Sequence, residues 1–198
     1  MTLLGLDFDN TLVRYDRLFH QLALEKGLIE ESLPADKIVI RDYLRSQGQD
    51  EQFTFLQGEV YGPRIIEAQP ADGMLQALGE LNQRGVSMVL VSHKTKTPYK
   101  GPAYDLHKSA LSWLEKYNFF ASSGLGWSAH QVFFEESKEA KALKIKESKC
   151  THYVDDLPEI LSLLHESVDK ILYDPSDFHQ QIPYTKILSW NELVNVIK

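Results

Sequence analysis

The sequence predicts an α/β protein: a parallel sheet covered on both faces by helices, with a small helical insert. Three observations predict it. Short apolar runs alternate with amphipathic stretches from about residue 74 to the end. Residues 16–67 carry helical spacing with no strand signal. Polar groups of unusual chemistry stand directly behind the apolar runs, where an open α/β sheet places its ligands.

The first strand is Leu3–Leu6, and it runs straight into Asp7-Phe8-Asp9-Asn10-Thr11. In extended chain, residues i and i+2 point to one side, so the strand ends by presenting two carboxylates toward one point. Like charges this close repel unless a cation or a shared proton neutralises them. Asn10 and Thr11 are short polar residues suited to a turn.

The insert reads as three helices: Asp16–Gly27 with Gly27 as C-cap, Pro34–Ser46 with proline at its start, and Asp50–Tyr61. Gln69–Gly73 is turn-rich and marks re-entry into the main domain. The resulting division is a core of residues 1–15 and 68–198 and a helical insert of residues 16–67.

Met74–Arg84 is an amphipathic helix stopped by Gly85, and Val86–Val91 a second buried strand ending in Ser92-His93-Lys94-Thr95. The loop to Pro102 holds Lys94, Lys96, Lys100 and Tyr99, which read either as a solvated loop or as a set that recognises a leaving group at the mouth of the site. Asp105–Tyr117 is a helix. Gly124-Leu125-Gly126 reads as a turn, since no phosphate-binding fingerprint follows it. His130–Phe134 is a third strand, Ser137–Lys149 a helix capped by Ser137, and Thr151–Val154 a fourth strand ending in Asp155-Asp156-Leu157-Pro158. A helix from Pro158 to Glu166, strands at Lys170–Tyr173 and Lys186–Leu188, and a helix at Trp190–Ile197 complete the chain.

Composition narrows the function classes. The 198 residues suit one domain with an insert, and 43% hydrophobic content supports a full core. A net charge of −7 argues against nucleic acid or an acidic membrane as the main partner. The single cysteine, Cys150, fits a reducing compartment, and the opening residues lack a signal peptide's basic and apolar regions; together these predict a cytoplasmic protein.

The polar groups converge. Strand one contributes Asp7 and Asp9, strand two Ser92, strand four Asp155 and Asp156. Four carboxylates at one sheet edge make a hard-cation site, with Mg²⁺ the expected ion. A lysine is needed beside them, and Lys138 and Lys141 both fall on one side of the helix behind Ser137.

Asp7-Phe8-Asp9-Asn10-Thr11, Val91-Ser92, a lysine within Lys138–Lys141 and Val154-Asp155-Asp156-Leu157-Pro158 resemble, in order and spacing, the four motifs of the haloacid dehalogenase superfamily. The resemblance implies a three-layer α/β/α Rossmann-like core, with the insert as a small cap. It implies Asp7 as nucleophile, Asp9 as general acid/base, and Ser92 and the lysine as phosphoryl ligands. It also implies Mg²⁺ held by Asp7, the Asp9 carbonyl and Asp156, with Asp155 in support. In relatives with the Asp-Asp form the lysine lies about fourteen residues before the first Asp, the spacing from Lys141 to Asp155. Lys138, next to the cap and among glutamates, is expected to face solvent; relatives with an earlier lysine leave it open. Thr11, Ser92, His93 and Tyr99 are the candidate substrate contacts. The expected activity is hydrolysis of a small phosphate monoester. A phosphomutase uses the same residues, and a non-catalytic binding module is the competing class.

Overall fold

The computed structural model describes residues 2–197. The elements, in chain order, are strands β1 (Leu3–Leu6) and β2 (Val13–Arg14), helices α1 (Asp16–Glu25), α2 (Lys37–Ser46) and α3 (Asp50–Tyr61), then β3 (Gln69–Pro70), α4 (Met74–Gln83), β4 (Ser87–His93) and α5 (Leu106–Lys116). They continue with β5 (Val132–Glu135), α6 (Lys138–Glu147), β6 (His152–Asp155), α7 (Pro158–Leu163), β7 (Asp169–Tyr173), β8 (Thr185–Ile187) and α8 (Trp190–Val196).

Six strands form one sheet in the order β5-β4-β1-β6-β7-β8, and every neighbouring pair is parallel. The order runs outward from β1 in both directions, so a switch in winding lies beside the end of the first strand. Register sets the faces. Gly5 stands between Val89 and Tyr153, and that face packs Val89, Val91, Tyr153 and Leu172 against Ile145 of α6 and Ile160 and Leu161 of α7. The other face carries Leu4, Leu6, Leu90 and Ile171, all buried, and Tyr173, whose ring meets Trp190 of α8 at 5.6 Å. Gly5 has a packing reason: a Cβ there would lie 2.5 Å from the Tyr153 ring and 2.9 Å from Cys150 Sγ. The Tyr153 hydroxyl in turn donates to the Val91 carbonyl, so this ring is tied to β4.

The chain divides into two compact units. One comprises the segment ending at Val13, Pro70–Lys94 and the segment from Asn118 onward; it holds the whole six-stranded sheet. The other comprises Arg14–Gln69 with Thr95–Tyr117. This boundary differs from the division drawn from sequence, which placed residues 95–117 with the core. The reason is packing: α5 sits with α3 and the turn Ile65–Glu67, and the Trp113 indole donates to the Ala68 carbonyl at 2.9 Å. Within this unit the rings of Phe19 and Phe53 stack at 5.5 Å.

Local chemistry adjusts several element ends. Helix α2 begins at Lys37, not at Pro34, because the Asp36 carboxylate caps it, accepting from Ile38 N at 2.7 Å and Val39 N at 2.9 Å. Strand β4 continues through Ser92 and His93, and the backbone N–H of Lys94 still donates to the Glu135 carbonyl at 2.9 Å. The third sheet segment of the sequence starts with a short turn at Ala129–Gln131 before β5. Pro158–Leu163 stops three residues short of Glu166. Gly124-Leu125-Gly126 forms a turn.

Candidate active site

Strand β1 delivers Asp7 to the sheet edge, and its backbone N–H donates to the Val154 carbonyl at 3.0 Å, fixing its depth. Beyond it the chain turns sharply: Leu12 N and Val13 N both donate to the Phe8 carbonyl, and Asn10 takes the left-handed conformation at φ 59°. Asparagine tolerates that region better than most residues. The turn folds Thr11 back over the carboxylates.

Asp7 is nearly sealed from solvent. Its Oδ1 accepts from the Ser92 hydroxyl at 2.9 Å and from Lys141 Nζ at 2.5 Å. The Thr11 hydroxyl lies 3.3 Å from Asp7 Oδ2 and 3.4 Å from Asp156 Oδ1; with one proton it serves one of them at a time. Strand β6 ends on Asp155, which is wholly buried. Its Oδ2 accepts from Lys141 at 2.6 Å and its Oδ1 from the Leu157 backbone N–H at 2.9 Å, so both oxygens are engaged by the protein. Asp7, Asp155 and Asp156 each bring one oxygen within 4.8 Å of the others.

The two candidate lysines separate cleanly. The Ser137 hydroxyl caps α6 on Ala140 N at 3.1 Å, and one turn further Lys141 enters the interior beside Ile145. Lys141 is 2% exposed and lies between Asp7 and Asp155, whereas Lys138 lies on the surface, paired with Glu159 at 2.6 Å.

Electrostatics follow from crowding. Burial and the neighbouring Asp7 charge push the Asp155 carboxyl up to about 7. Burial, with Asp7 and then Asp155, raises the Asp156 carboxyl well above its ordinary value. Burial opposes the charge of Lys141, but Asp7 and Asp155 outweigh it and hold its pKa above the usual lysine range. Among the described residues these three aspartates are the one His/Cys/Asp/Glu group placed to hold an ion, and oxygen donors of this kind suit a hard divalent cation.

The other candidates fall elsewhere. The side chain of Asp9 stands outside the carboxylate group and is held by Lys94, whose Nζ lies 2.9 and 2.8 Å from its two oxygens. Lys94 is therefore buried, a correction to its expected place at the mouth of the loop; Lys96 and Lys100 are exposed. The only sequence signal for this pair was a lysine two residues behind Ser92. His93 ends β4, half-buried and level with Glu135. Tyr99 is 83% exposed and belongs to the second compact unit.

The arrangement matches known folds over its full length. A HAD-superfamily hydrolase from Ehrlichia chaffeensis is 15% identical, with a TM-score of 0.57, covering 100% of this chain and 97% of that one. The fold is that of the haloacid dehalogenase superfamily hydrolases. A HAD hydrolase of Bacillus subtilis, bound to magnesium, is 13% identical with a TM-score of 0.58, covering 99% of this chain and 98% of its own. A dehalogenase with an intermediate complex is 8% identical with a TM-score of 0.62, covering 99% and 96%. No family model and no curated protein matches the sequence. The haloacid dehalogenase-like fold accounts for the parallel sheet and for the meeting of β1, β4 and β6 at one edge; the chemistry rests on the residues placed there.

Proposed function

We propose that the protein is a haloacid dehalogenase superfamily phosphohydrolase that cleaves a small phosphate monoester through an aspartyl-phosphate on Asp7. The observation that carries this reading is the buried cluster of Asp7, Lys141, Asp155 and Ser92, with Asp156 beside it. A carboxyl group clamped by a lysine and a serine hydroxyl is held in a fixed orientation, which a nucleophile requires. An oxygen of Asp7 attacks phosphorus as the bond to the leaving oxygen breaks. That oxygen takes the electron pair and a proton from Asp9, so the alcohol departs neutral. Water then attacks the phosphorus, gives its proton to Asp9, and the bond to Asp7 breaks, releasing phosphate. Ser92 and Lys141 hold the phosphoryl oxygens as charge develops on them.

The donor set fits Mg²⁺: Asp7, the Asp9 carbonyl and Asp156 would hold it. Asp155, with both oxygens engaged, would serve to fix Lys141. When bound, the ion supplies positive charge that offsets repulsion between carboxylates and a phosphate. The neighbours include a dehalogenase. The dehalogenase branch lacks the second acid, and Asp9 is present here, which favours phosphoryl transfer. His93, Thr11 and Tyr99 are proposed substrate contacts.

The test is hydrolysis of an aryl phosphate with Mg²⁺. Activity lost on chelation, and a fall below about one per cent in Asp7→Asn with the fold retained, support the reading. Residual turnover above that level in Asp7→Asn, or activity indifferent to chelator, overturns it.

A further inference from the structure

Lys94 is a built feature that the proposed mechanism does not use. Its side chain is 3% exposed, while that of its partner Asp9 is 24% exposed, so the carboxylate lies on the solvent side of the lysine. Its ammonium reaches both Asp9 oxygens, at 2.9 and 2.8 Å, and sits 5.4 Å from the Phe8 ring centroid. Its backbone is tied to the sheet through the Glu135 carbonyl at 2.9 Å. The lysine is thus anchored at both ends. Asp9, by contrast, stands on a turn, one residue before Asn10 in the left-handed conformation.

Burying an ammonium is costly unless a counter-charge is fixed beside it. Asp9 supplies such a counter-charge here, and the same contact holds its carboxyl group in place. A carboxylate has about four lone-pair sites, more than one ammonium takes up.

We propose that Lys94 is the positioning residue of Asp9: it fixes the carboxyl group where, in its acid form, it hands a proton to the leaving oxygen, and does not itself touch the phosphate. This deepens the phosphohydrolase reading and rests on it. The consequence concerns the leaving group. An alkoxide leaves poorly without a proton, whereas 4-nitrophenolate leaves readily as the anion. A misplaced acid therefore harms alkyl phosphates most.

The experiment compares single-turnover alcohol release from 4-nitrophenyl phosphate and from an alkyl phosphate in wild type, Lys94→Met, Asp9→Asn and the double variant. Lys94→Met should slow the alkyl ester by about ten- to a hundredfold, a fraction of what general acid catalysis supplies. The aryl ester should slow by less than about threefold. In the Asp9→Asn background Lys94→Met should add nothing further, the mark of one residue acting through another. If Lys94→Met does not fold, Lys94→Arg carries the test: it keeps the charge but moves the donors, and its loss must still fall on the alkyl ester. Equal losses on both esters, or losses that multiply in the double variant, overturn the positioning role and leave the phosphohydrolase reading standing. A folded wild type that releases nothing from either ester overturns that reading, and the role of Lys94 falls with it.

Discussion

Lys141→Met tests the centre of the site through stability alone, without a known substrate. In the folded protein Lys141 Nζ lies 2.5 Å from Asp7 Oδ1 and 2.6 Å from Asp155 Oδ2, and Asp7 and Asp155 are 4% and 0% exposed. Methionine keeps most of the volume and removes the charge, leaving two carboxylates buried without their cation. Breaking a buried ion pair from one side costs about 3–5 kcal/mol. For a chain of this size each kcal/mol moves Tm by about 2–4 °C, so a fall of roughly 6–20 °C is expected. The sign of the pH dependence follows from linkage. Without the lysine, which lowers the Asp155 carboxyl in wild type, native Asp155 binds its proton more tightly, so the deficit widens as pH rises and narrows as it falls. Lys138→Met serves as control: its pair with Glu159 is exposed on both sides, and surface pairs are worth under about 1 kcal/mol. The assay is thermal denaturation in chelator at pH 5 and pH 8, with the native spectrum checked for each variant. Equal destabilisation by the two substitutions, or a Lys141 deficit that does not change between the two pH values, would refute the reasoning.

Two further predictions follow from the carboxylates and the loop. The Asp155 carboxyl, raised to about 7 from an unfolded value near 4, contributes stability that is full below about pH 4 and lost as pH rises to about 7. The Mg²⁺-free protein should therefore lose stability across that window. Mg²⁺ at about a hundredfold its Kd should restore about 2.7 kcal/mol at pH 8 and much less at pH 5, where protons compete; a Tm gain equal at both pH values would contradict the assigned site. Tyr99→Ala should change the relative kcat/KM among phosphate esters differing in the leaving group, and a uniform effect on all of them would remove Tyr99 from recognition.

Much of this protein was legible in one dimension because its signals are local. Apolar runs of strand length, alternating with helical periodicity, determined the parallel α/β sheet, and each chemistry-bearing aspartate follows its strand directly. Geometry then requires Asp7 and Asp155 to meet, since β1 and β6 pair in parallel and end at the same edge. Helical spacing could not choose between Lys138 and Lys141, and only the resemblance favoured Lys141; the direction in which α6 faces sets their surroundings, since one turn separates a buried ammonium between two carboxylates from an exposed one beside Glu159.

Other features had no local trace. The start of α2 passed from Pro34 to Lys37 because a carboxylate cap outweighs the proline signal. Residues 95–117 joined the helical unit, since an amphipathic helix does not record in its sequence which apolar surface will cover it. Lys94 read as one of several loop lysines, because a lysine's fate depends on whether a counter-charge distant in sequence is brought against it. Asp9 lies 85 residues away along the chain, and only the adjacency of β1 and β4 in the sheet makes that pairing possible.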